Sequence, residues 1–408
     1  MWYLENHVTS SVVEKVCSRR SPFMKPSNIT TIHSFPVWLP QTMTWLYNQV
    51  RYLPNQVESH IICESTENID QFFLPNIHSL EEAPRWHYYW DLALRKLQVR
   101  HHIGFLVEQS KLHRAQVLHS HFGNVGWTNI KAAKQAGLKH VVTFYGLDVN
   151  YLPRQDPRWH KRYQALFAHI DCVLCEGTHM AKCVIALGCP EEKVRVHHLG
   201  VRVGEIAFQP RVWSPEEPLR VLIATSFREK KGIPYALEAL GRMQHDVPLE
   251  ITIIGDATTE VRSQAEKQKV LATIEKYNLQ SKVRLLGYQP HTVLFEEAYK
   301  HHVFLSPSVT ASDGDTEGGA PVVLIEMAAT GMLIVSTIHC DVPGVVHHGV
   351  TGLLSNERDV DGLITQLKWL VNHPEQWFSM AAAARQLVQE KFNVSLQGER
   401  LAEIYQLL

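Results

Sequence analysis

The chain of 408 residues lacks the features that would direct it to a membrane or a nucleic acid. Its formal net charge is −1, so it has no excess of basic residues to attract nucleic acid or anionic lipid. No run approaches the roughly 20 consecutive apolar residues that cross a bilayer. Residues 1–28 also lack the apolar core of a signal peptide. We therefore expect a soluble protein that is not exported and binds no nucleic acid.

Cysteine is also sparse. The seven cysteines are scattered, which is typical neither of a disulfide scaffold nor of a zinc ribbon. One C-x-x-C occurs, at Cys172 and Cys175, but it lies in the apolar run DCVLC, which predicts a buried strand with cysteines in the core. The 24 histidines include no H-E-x-x-H or comparable ligand spacing. We expect a reducing, cytoplasmic setting, with no metal and no cofactor.

What is present is an alternation of short β-branched runs with amphipathic helical segments from residue 29 onward. This alternation predicts an α/β protein with parallel sheets covered by helices. The segment 206–220 carries three prolines and no periodicity, as a linker does. We predict an N-terminal extension at 1–28, a first domain at 29–213, a second domain at 214–390 and a C-terminal amphipathic helix at 391–408.

The segment SDGDTEGGAPVVLIEMAATG, residues 312–331, places glycines directly before an almost wholly apolar helix. Unpaired amides at a helix N-terminus, approached through glycine, predict a seat for a phosphate. Glu326 lies inside that helix, where an unpaired carboxylate would cost several kcal/mol. It either pairs with a lysine or arginine, or accepts hydrogen bonds from a vicinal diol such as a ribose. This segment alone leaves both open.

A second segment, ATSFREKKGIPYALEAL, places cations between a strand and a helix. Arg228, Lys230 and Lys231 precede Gly232 at the predicted turn. Cations at the carboxyl end of a parallel strand lie where α/β sheets bind ligands. A departing diphosphate needs such charges to neutralise it. The two segments together favour the diol over the internal ion pair as the partner of Glu326, next to a site for a diphosphate.

These motifs, with HSHFG, TFYGLD, IIGDA, VRLLGY and TGLL, resemble those of glycosyltransferase family 4 over residues 29 to 408. The resemblance implies a GT-B fold, in which two Rossmann-like domains with parallel sheets face each other. It also implies that the final helix crosses back to the first domain. A nucleotide sugar would be the donor substrate, and a glycan or lipid-linked molecule the acceptor.

The resemblance also implies residue roles. Glu326 would hold the ribose hydroxyls, Glu317 would contact the hexose, and Lys231 with Arg228 would stabilise the diphosphate. The remaining residues fall into three sets: amides at Gly318, Gly319 and Ala320 that support sugar and phosphate, Gly287 and Tyr288 beside the base, and Tyr145, Asp148 and His121 as sugar contacts.

The chain departs from the family pattern at three positions. Eight residues separate Glu317 from Glu326, where the family has seven. The family's arginine falls at Ser226, so Arg228 is a substitute. The family's H-G-x-D begins with Tyr145, and a phenol with a pKa near 10 replaces imidazole poorly.

The implied function is retaining transfer of a hexose in polysaccharide or glycoconjugate biosynthesis. A non-catalytic nucleotide-sugar-binding subunit of the same fold is the alternative, and a rearranging or hydrolysing enzyme is a third. Asp313-Gly-Asp315 predicts a solvated turn rather than a metal site, so we expect catalysis without metal. A lipid-linked acceptor would place the protein at the inner membrane face.

Overall fold

The computed structural model describes residues 28–40 and 43–408. All but the last residue of the predicted extension at 1–28 lie outside that part of the chain. The described residues form two α/β units, each built on its own parallel sheet. The predicted fold class, two Rossmann-like domains with parallel sheets, is confirmed. Among the described residues, no helix combines the length and the apolar character that a bilayer crossing requires.

The described part of the first unit contains nine strands, seven of which form one parallel sheet. Its strands are β1 (Ile29–Ser34), β2 (Val37–Trp38), β3 (Val57–Cys63), β4 (Ser65–Thr66), β5 (Ile77–Ser79), β6 (Val117–His121), β7 (Lys139–Phe144), β8 (Cys172–Cys175) and β9 (Val194–Val196). The sheet order is β5-β3-β1-β6-β7-β8-β9, while β2 and β4 pair separately. The helices are α1 (Thr44–Arg51), α2 (Arg85–Lys96), α3 (Gly104–Leu112), α4 (Gly123–Ala136), α5 (Leu152–Gln155), α6 (Arg158–His169) and α7 (Thr178–Ala186).

The second unit is built on a six-stranded sheet with order β12-β11-β10-β13-β14-β15. Its strands are β10 (Leu219–Ala224), β11 (Leu249–Ile254), β12 (Val283–Gly287), β13 (Val303–Ser306), β14 (Leu333–Thr337) and β15 (Leu353–Ser355). Its helices are α8 (Ile233–Met243), α9 (Val261–Lys276), α10 (His291–Ala298), α11 (Val322–Ala329), α12 (Val360–Asn372) and α13 (Trp377–Lys391), followed by α14 (Val394–Gln406).

The central strands are buried on both faces, as parallel strands covered by helices must be. All four residues of β8 are buried, so Cys172 and Cys175 are core cysteines as predicted. Burial raises the pKa of the Cys172 thiol to about 11 and that of Cys175 well above its ordinary value. Neither thiol is therefore a thiolate near neutral pH.

The last helix, α14, packs against the first sheet although it follows the second unit in sequence. Its buried residues Leu401, Ala402 and Tyr405 join a core cluster that contains Val57 and Val117. The amphipathic pattern predicts a helix here, and in the structure α14 buries Leu401 and Tyr405 of the predicted stripe. The predicted boundary near residue 214 stays a prediction, and the segment from 201 to 213 packs on the second sheet.

Candidate active site

The two segments singled out in the sequence meet at one edge of the second sheet. The loop 225–232 follows β10 and the loop 307–321 follows β13, and these strands are neighbours. In the sheet, β11 and β12 lie on one side of β10, whereas β13 lies on its other side. Where the chain changes sides in this way, a crevice opens at the carboxyl ends of the parallel strands. Gly232 has φ +64, and a Cβ on it would collide with the carbonyl oxygen of Pro307. Glycine thus lets the two loops touch.

Lys231 and Glu317 form an ion pair between the two loops. The ammonium lies 2.9 and 2.7 Å from the two carboxylate oxygens, and the Ser308 hydroxyl donates to the same carboxylate at 2.8 Å. The Glu317 side chain is only 6% exposed. Burial alone would raise its pKa, but Lys231 and Lys230 outweigh burial and bring it down to about 2. Glu317 is therefore a carboxylate at neutral pH, and Lys231 is the cation that balances it.

The two carboxylates of the Asp313-Gly-Asp315 sequence form ion pairs with neighbouring cations. Lys230 lies 3.0 Å from Asp315, and Arg262 lies 3.2 Å from Asp313 and 3.7 Å from Asp315. The prediction of a solvated turn was wrong for Asp315, which is 2% exposed. The sequence did not show that Lys230, from the loop after β10, and Arg262, from the first turn of α9, pair with it.

Glu326 lies in the second turn of α11 and is 8% exposed. Its carboxylate oxygen Oε1 lies 3.0 Å from Nε2 of His291, the first residue of α10. No lysine or arginine of the described residues comes within salt-bridge distance of it. The internal ion pair that the sequence left open is thus not the arrangement seen. One carboxylate oxygen, Oε2, has no hydrogen-bond partner within the described chain.

The glycine-rich turn before α11 presents backbone amides. The Gly318 amide donates to the Thr316 hydroxyl at 3.2 Å. The amides of Gly319 and Ala320 donate to no acceptor in the described part of the chain. They lie next to the N-terminus of α11, where the helix dipole adds positive potential. This turn can accept an anionic group.

The side chains of three other predicted positions, among the described residues, form no hydrogen bond to the Lys231 or Glu317 side chain, although the Arg228 carbonyl accepts from the Lys231 amide at 2.9 Å. Arg228 donates instead to Glu260, at 2.8 Å. Gly287 ends β12, and its carbonyl accepts from the Gly255 amide at 2.7 Å. The Tyr288 hydroxyl donates to the carbonyl of Asp256, and its ring is half exposed.

The first unit contributes Tyr145, Asp148 and His121, of which Tyr145 contacts the other two. The Tyr145 hydroxyl lies 2.7 Å from His121 Nδ1 and 3.2 Å from Gln49 Oε1, both within its own unit. The Asp148 carboxylate accepts from the amides of Gly123 and Tyr145 at 2.6 and 3.0 Å. Burial raises the pKa of Asp148 to about 6 even though these amides lower it. The structure therefore shows Asp148 holding two loops of the first unit.

The sequence analysis did not identify several polar residues that lie where the two units meet. The Asp341 carboxylate accepts from the amides of His179 and Met180, in the first turn of α7, at 2.7 and 3.2 Å. Glu176 lies directly against Gly319, and burial, with Asp341 and Asp148 nearby, raises its pKa well above the ordinary value. Glu176 and Asp341 each follow soon after a parallel strand, which is the signal that could have found them.

The two units touch where the H-G-x-D-like segment meets the glycine turn. Gly146 has φ +101, and a Cβ on it would lie 2.7 Å from the Gly318 Cα and 2.9 Å from the Glu317 carbonyl oxygen. Nearby, the Asn150 amide donates to the Thr316 hydroxyl at 2.8 Å. Backbone from one unit thus packs on the turn that carries Glu317.

We expect Gly146→Ala to lower kcat/KM of the sugar transfer that the resemblance implies by at least about tenfold. The added methyl group would displace the turn that carries Glu317, and small displacements of a catalytic group lower the rate strongly. Steady-state kinetics and thermal unfolding would be measured together. Gly188→Ala is the matched control, since Gly188 has φ +98 but nothing within 4 Å of an added Cβ. Both variants carry similar backbone strain, so equal losses of activity would contradict the role of the contact.

The GT-B class of fold is defined by two α/β units with parallel sheets that meet in this way. In this chain a candidate phosphate-binding site lies at the carboxyl edge of the second sheet. The solved structure of Alr3699/HepE from Anabaena, in complex with UDP and glucose, superposes with a TM-score of 0.72. It covers 93% of this chain and 100% of its own, at 14% sequence identity. That likeness concerns the fold alone.

Comparisons of sequence give the family. The model for glycosyl transferases group 1 matches residues 206–387, and that for glycosyltransferase family 4 matches residues 43–205. The amylovoran biosynthesis glycosyltransferase AmsK of Erwinia amylovora is 32% identical over 72% of this chain and 70% of its own length. The putative colanic acid biosynthesis glycosyltransferase WcaL of Escherichia coli (strain K12) is 30% identical over 72% and 71%. The chain belongs to the group 1 glycosyltransferases of family 4.

Proposed function

We propose that the protein transfers a hexose from a nucleoside diphosphate sugar to a glycan or lipid-linked acceptor in polysaccharide biosynthesis, with retention of anomeric configuration. The amylovoran and colanic acid names of two relatives support a polymer product. The UDP and glucose in the Anabaena structure support a nucleotide-sugar donor. The observation that carries the proposal is the Lys231–Glu317 pair beside the unpaired amides of Gly319 and Ala320.

The donor would be held along the carboxyl edge of the second sheet. Glu326 would accept a ribose hydroxyl at Oε2, while His291 keeps Oε1 in place. The diphosphate would receive hydrogen bonds from the amides of the glycine turn. Lys231 would turn from Glu317 toward the diphosphate, and Glu317 would then accept from a hydroxyl of the hexose. Lys231 and Glu317 would each exchange a partner inside the protein for one on the donor.

In the transfer step, the bond between the anomeric carbon and the diphosphate oxygen breaks, and the electron pair goes to that oxygen. The acceptor oxygen attacks the anomeric carbon from the same face, so the configuration is retained. The acceptor's proton passes to the departing diphosphate oxygen. Lys231 lowers the barrier because it stabilises negative charge that grows on the leaving group.

We propose that this step needs no metal ion and no cofactor. The positive charge beside the leaving group would come from Lys231. Arg228 would contribute a second positive charge only if its ion pair with Glu260 breaks. Asp313 and Asp315 already have cationic partners in Arg262 and Lys230, which supports a structural role for the D-G-D sequence. The proposed setting is the cytoplasm, at the inner membrane face if the acceptor is lipid-linked.

A thermal-shift titration with UDP, GDP and ADP tests the donor site. We expect one nucleotide to raise the melting temperature by several degrees, since saturation at about 100 Kd adds about 2.7 kcal/mol. Glu326→Ala should lose that shift while keeping its own cooperative unfolding. Glu296→Ala, an exposed glutamate on the same helix as His291, should keep it.

Transfer would then be measured with the sugar of the nucleotide that binds. Product formed only when acceptor is added supports the proposal, and product formed without acceptor points to hydrolysis or rearrangement. Binding without turnover over a broad acceptor panel would favour the non-catalytic alternative. A shift that survives in Glu326→Ala would contradict the ribose role.

A further inference from the structure

Three histidines converge on the outer edge of the first sheet, far along the sheet order from β7 and β8. His60 lies on β3, His78 on the edge strand β5, and His113 directly follows α3. His78 pairs with Ile62, two residues along β3 from His60, so both side chains leave the same face of the sheet. His113 stacks on His60 with ring centroids 3.8 Å apart.

The ring nitrogens of this cluster lie close together. His60 Nδ1 is 3.0 Å from His78 Nε2, and one nitrogen of each ring lies within 4.8 Å of those of the other two. Nitrogen ligands at 2.0–2.1 Å from a tetrahedral Zn²⁺ are about 3.3 Å apart. The first pair already has nearly that spacing, and a rotation of the half-buried His113 ring would bring in the third nitrogen.

Two outer partners set the protonation of the rings. Glu58 Oε1 accepts from His60 Nε2 at 3.2 Å, and Gln109 Oε1 accepts from His113 Nε2 at 3.2 Å. Both contacts leave Nδ1 of the same ring unprotonated, with its lone pair available. Metal-binding histidines typically donate their second nitrogen to such a carboxylate or amide. In the hydrogen bond between His78 and His60, Nε2 of His78 carries the proton. To bind the ion through Nε2, His78 would adopt the tautomer with its proton on Nδ1.

The electrostatics of the cluster favour neutral rings. Burial lowers the pKa of His60, and the neighbouring His113 lowers it further. Burial also lowers the pKa of His78, followed by the effects of His60 and His113. Neutral imidazole is the form that binds a transition metal, and the lowered pKa values favour that form for His60 and His78.

A second histidine cluster, His33, His119 and His121, shows the contrast. Both nitrogens of His119 already have partners, the hydroxyls of Tyr405 and Thr143, each at 2.6 Å. All three rings of that cluster are buried. In the edge cluster only His60 is buried, and the other two rings reach the surface.

We propose that His60, His78 and His113 form a binding site for Zn²⁺ that is separate from the active site, with water as the fourth ligand. Imidazole suits Zn²⁺, and also Cu²⁺ and Ni²⁺. A bound ion would join the three-residue edge strand β5, strand β3 and the end of α3. Its role is structural, because it fixes the edge of the first sheet.

The test is a titration of the tag-free, EDTA-treated full chain with Zn²⁺ alone, followed by calorimetry and by thermal unfolding. We expect one ion per chain and a higher melting temperature when it is bound. His113→Ala should weaken the affinity at least about tenfold. Glu58→Gln, at an exposed position that folding tolerates, should weaken it about 10- to 100-fold through the outer contact. His160→Ala, at an exposed histidine elsewhere, should bind as the unaltered chain does.

Two results would overturn the site. One is failure of the unaltered chain to bind Zn²⁺ more tightly than His113→Ala does. The other is stoichiometric binding that Glu58→Gln and His113→Ala both retain in full, since the ion would then lie elsewhere. Folding of every variant is checked by its unfolding transition without metal, and Glu58→Gln keeps the test valid if His113→Ala fails to fold.

Discussion

Lys231→Ala is expected to lower kcat/KM for transfer by about 100- to 1,000-fold, the usual cost of removing one group that stabilises developing negative charge. The ammonium is poised at the carboxyl edge of β10 and balances the buried Glu317. If the proposed function is correct, its loss removes the cation next to the departing diphosphate. Initial rates with the nucleotide sugar identified by thermal shift would measure the effect. Lys276→Ala, on the exposed side of α9, should keep full activity.

The same substitution also affects stability, and this effect must be separated from catalysis. Removing Lys231 leaves Glu317 buried without its main partner, a change that typically costs about 3–5 kcal/mol. The double variant Lys231→Ala/Glu317→Gln should recover much of that stability, since no buried charge remains. It should stay as inactive as the single variant. If activity returned together with stability, Lys231 would be structural and the proposed leaving-group role would be wrong.

The fold and the second-sheet half of the site could be predicted because their signals are local. Strand runs, the linker prolines and the glycine turn before an apolar helix each show in a short stretch of sequence. The pairing of Lys231 with Glu317 follows once β10 and β13 are neighbours, because both loops leave the same sheet edge. Local pattern and parallel topology together were enough there.

The partners of the site residues could not be predicted, because each pair joins distant parts of the chain. Asp341 contacts the start of α7 from 162 residues away, and no pattern in either segment announces it. Glu326 contacts a histidine rather than the lysine or arginine that charge alone suggested. The edge cluster of His60, His78 and His113 has no motif spacing, since two strands and a helix end bring its members together.

Acidification is expected to destabilise the protein steeply between pH 6.5 and 5.5. Several buried histidines have lowered pKa values with burial as the first cause, and five of them are considered together: His33, His119, His121, His140 and His197. The pKa of His33 falls to about 3, and those of His140 and His197 to about 4. Unfolding would let each ring take up a proton near pH 6.5, as an ordinary histidine does. The stability they contribute is present above pH 6.5 and is lost as the pH falls.

Two buried acids work in the opposite direction. The pKa of Asp148 is raised to about 6 and that of Glu176 is also raised, so the folded protein takes up protons at these groups as the pH falls. Each fully buried histidine costs about 1 kcal/mol between pH 6.5 and 5.5, and the two acids recover part of the total. These groups alone give a net loss of at least about 3 kcal/mol, which is a large share of a typical stability of about 5–15 kcal/mol.

Denaturant unfolding at pH 7.5, 6.5 and 5.5 measures this loss, and its slope with pH gives the number of protons taken up on unfolding. His140→Gln should reduce that number by about one, because glutamine does not titrate and can still reach the Ser120 hydroxyl that lies 2.9 Å from His140. His160→Gln, at an exposed site, should leave it unchanged. A stability that stays flat or rises from pH 6.5 to 5.5 would mean that these histidines are charged in the folded protein.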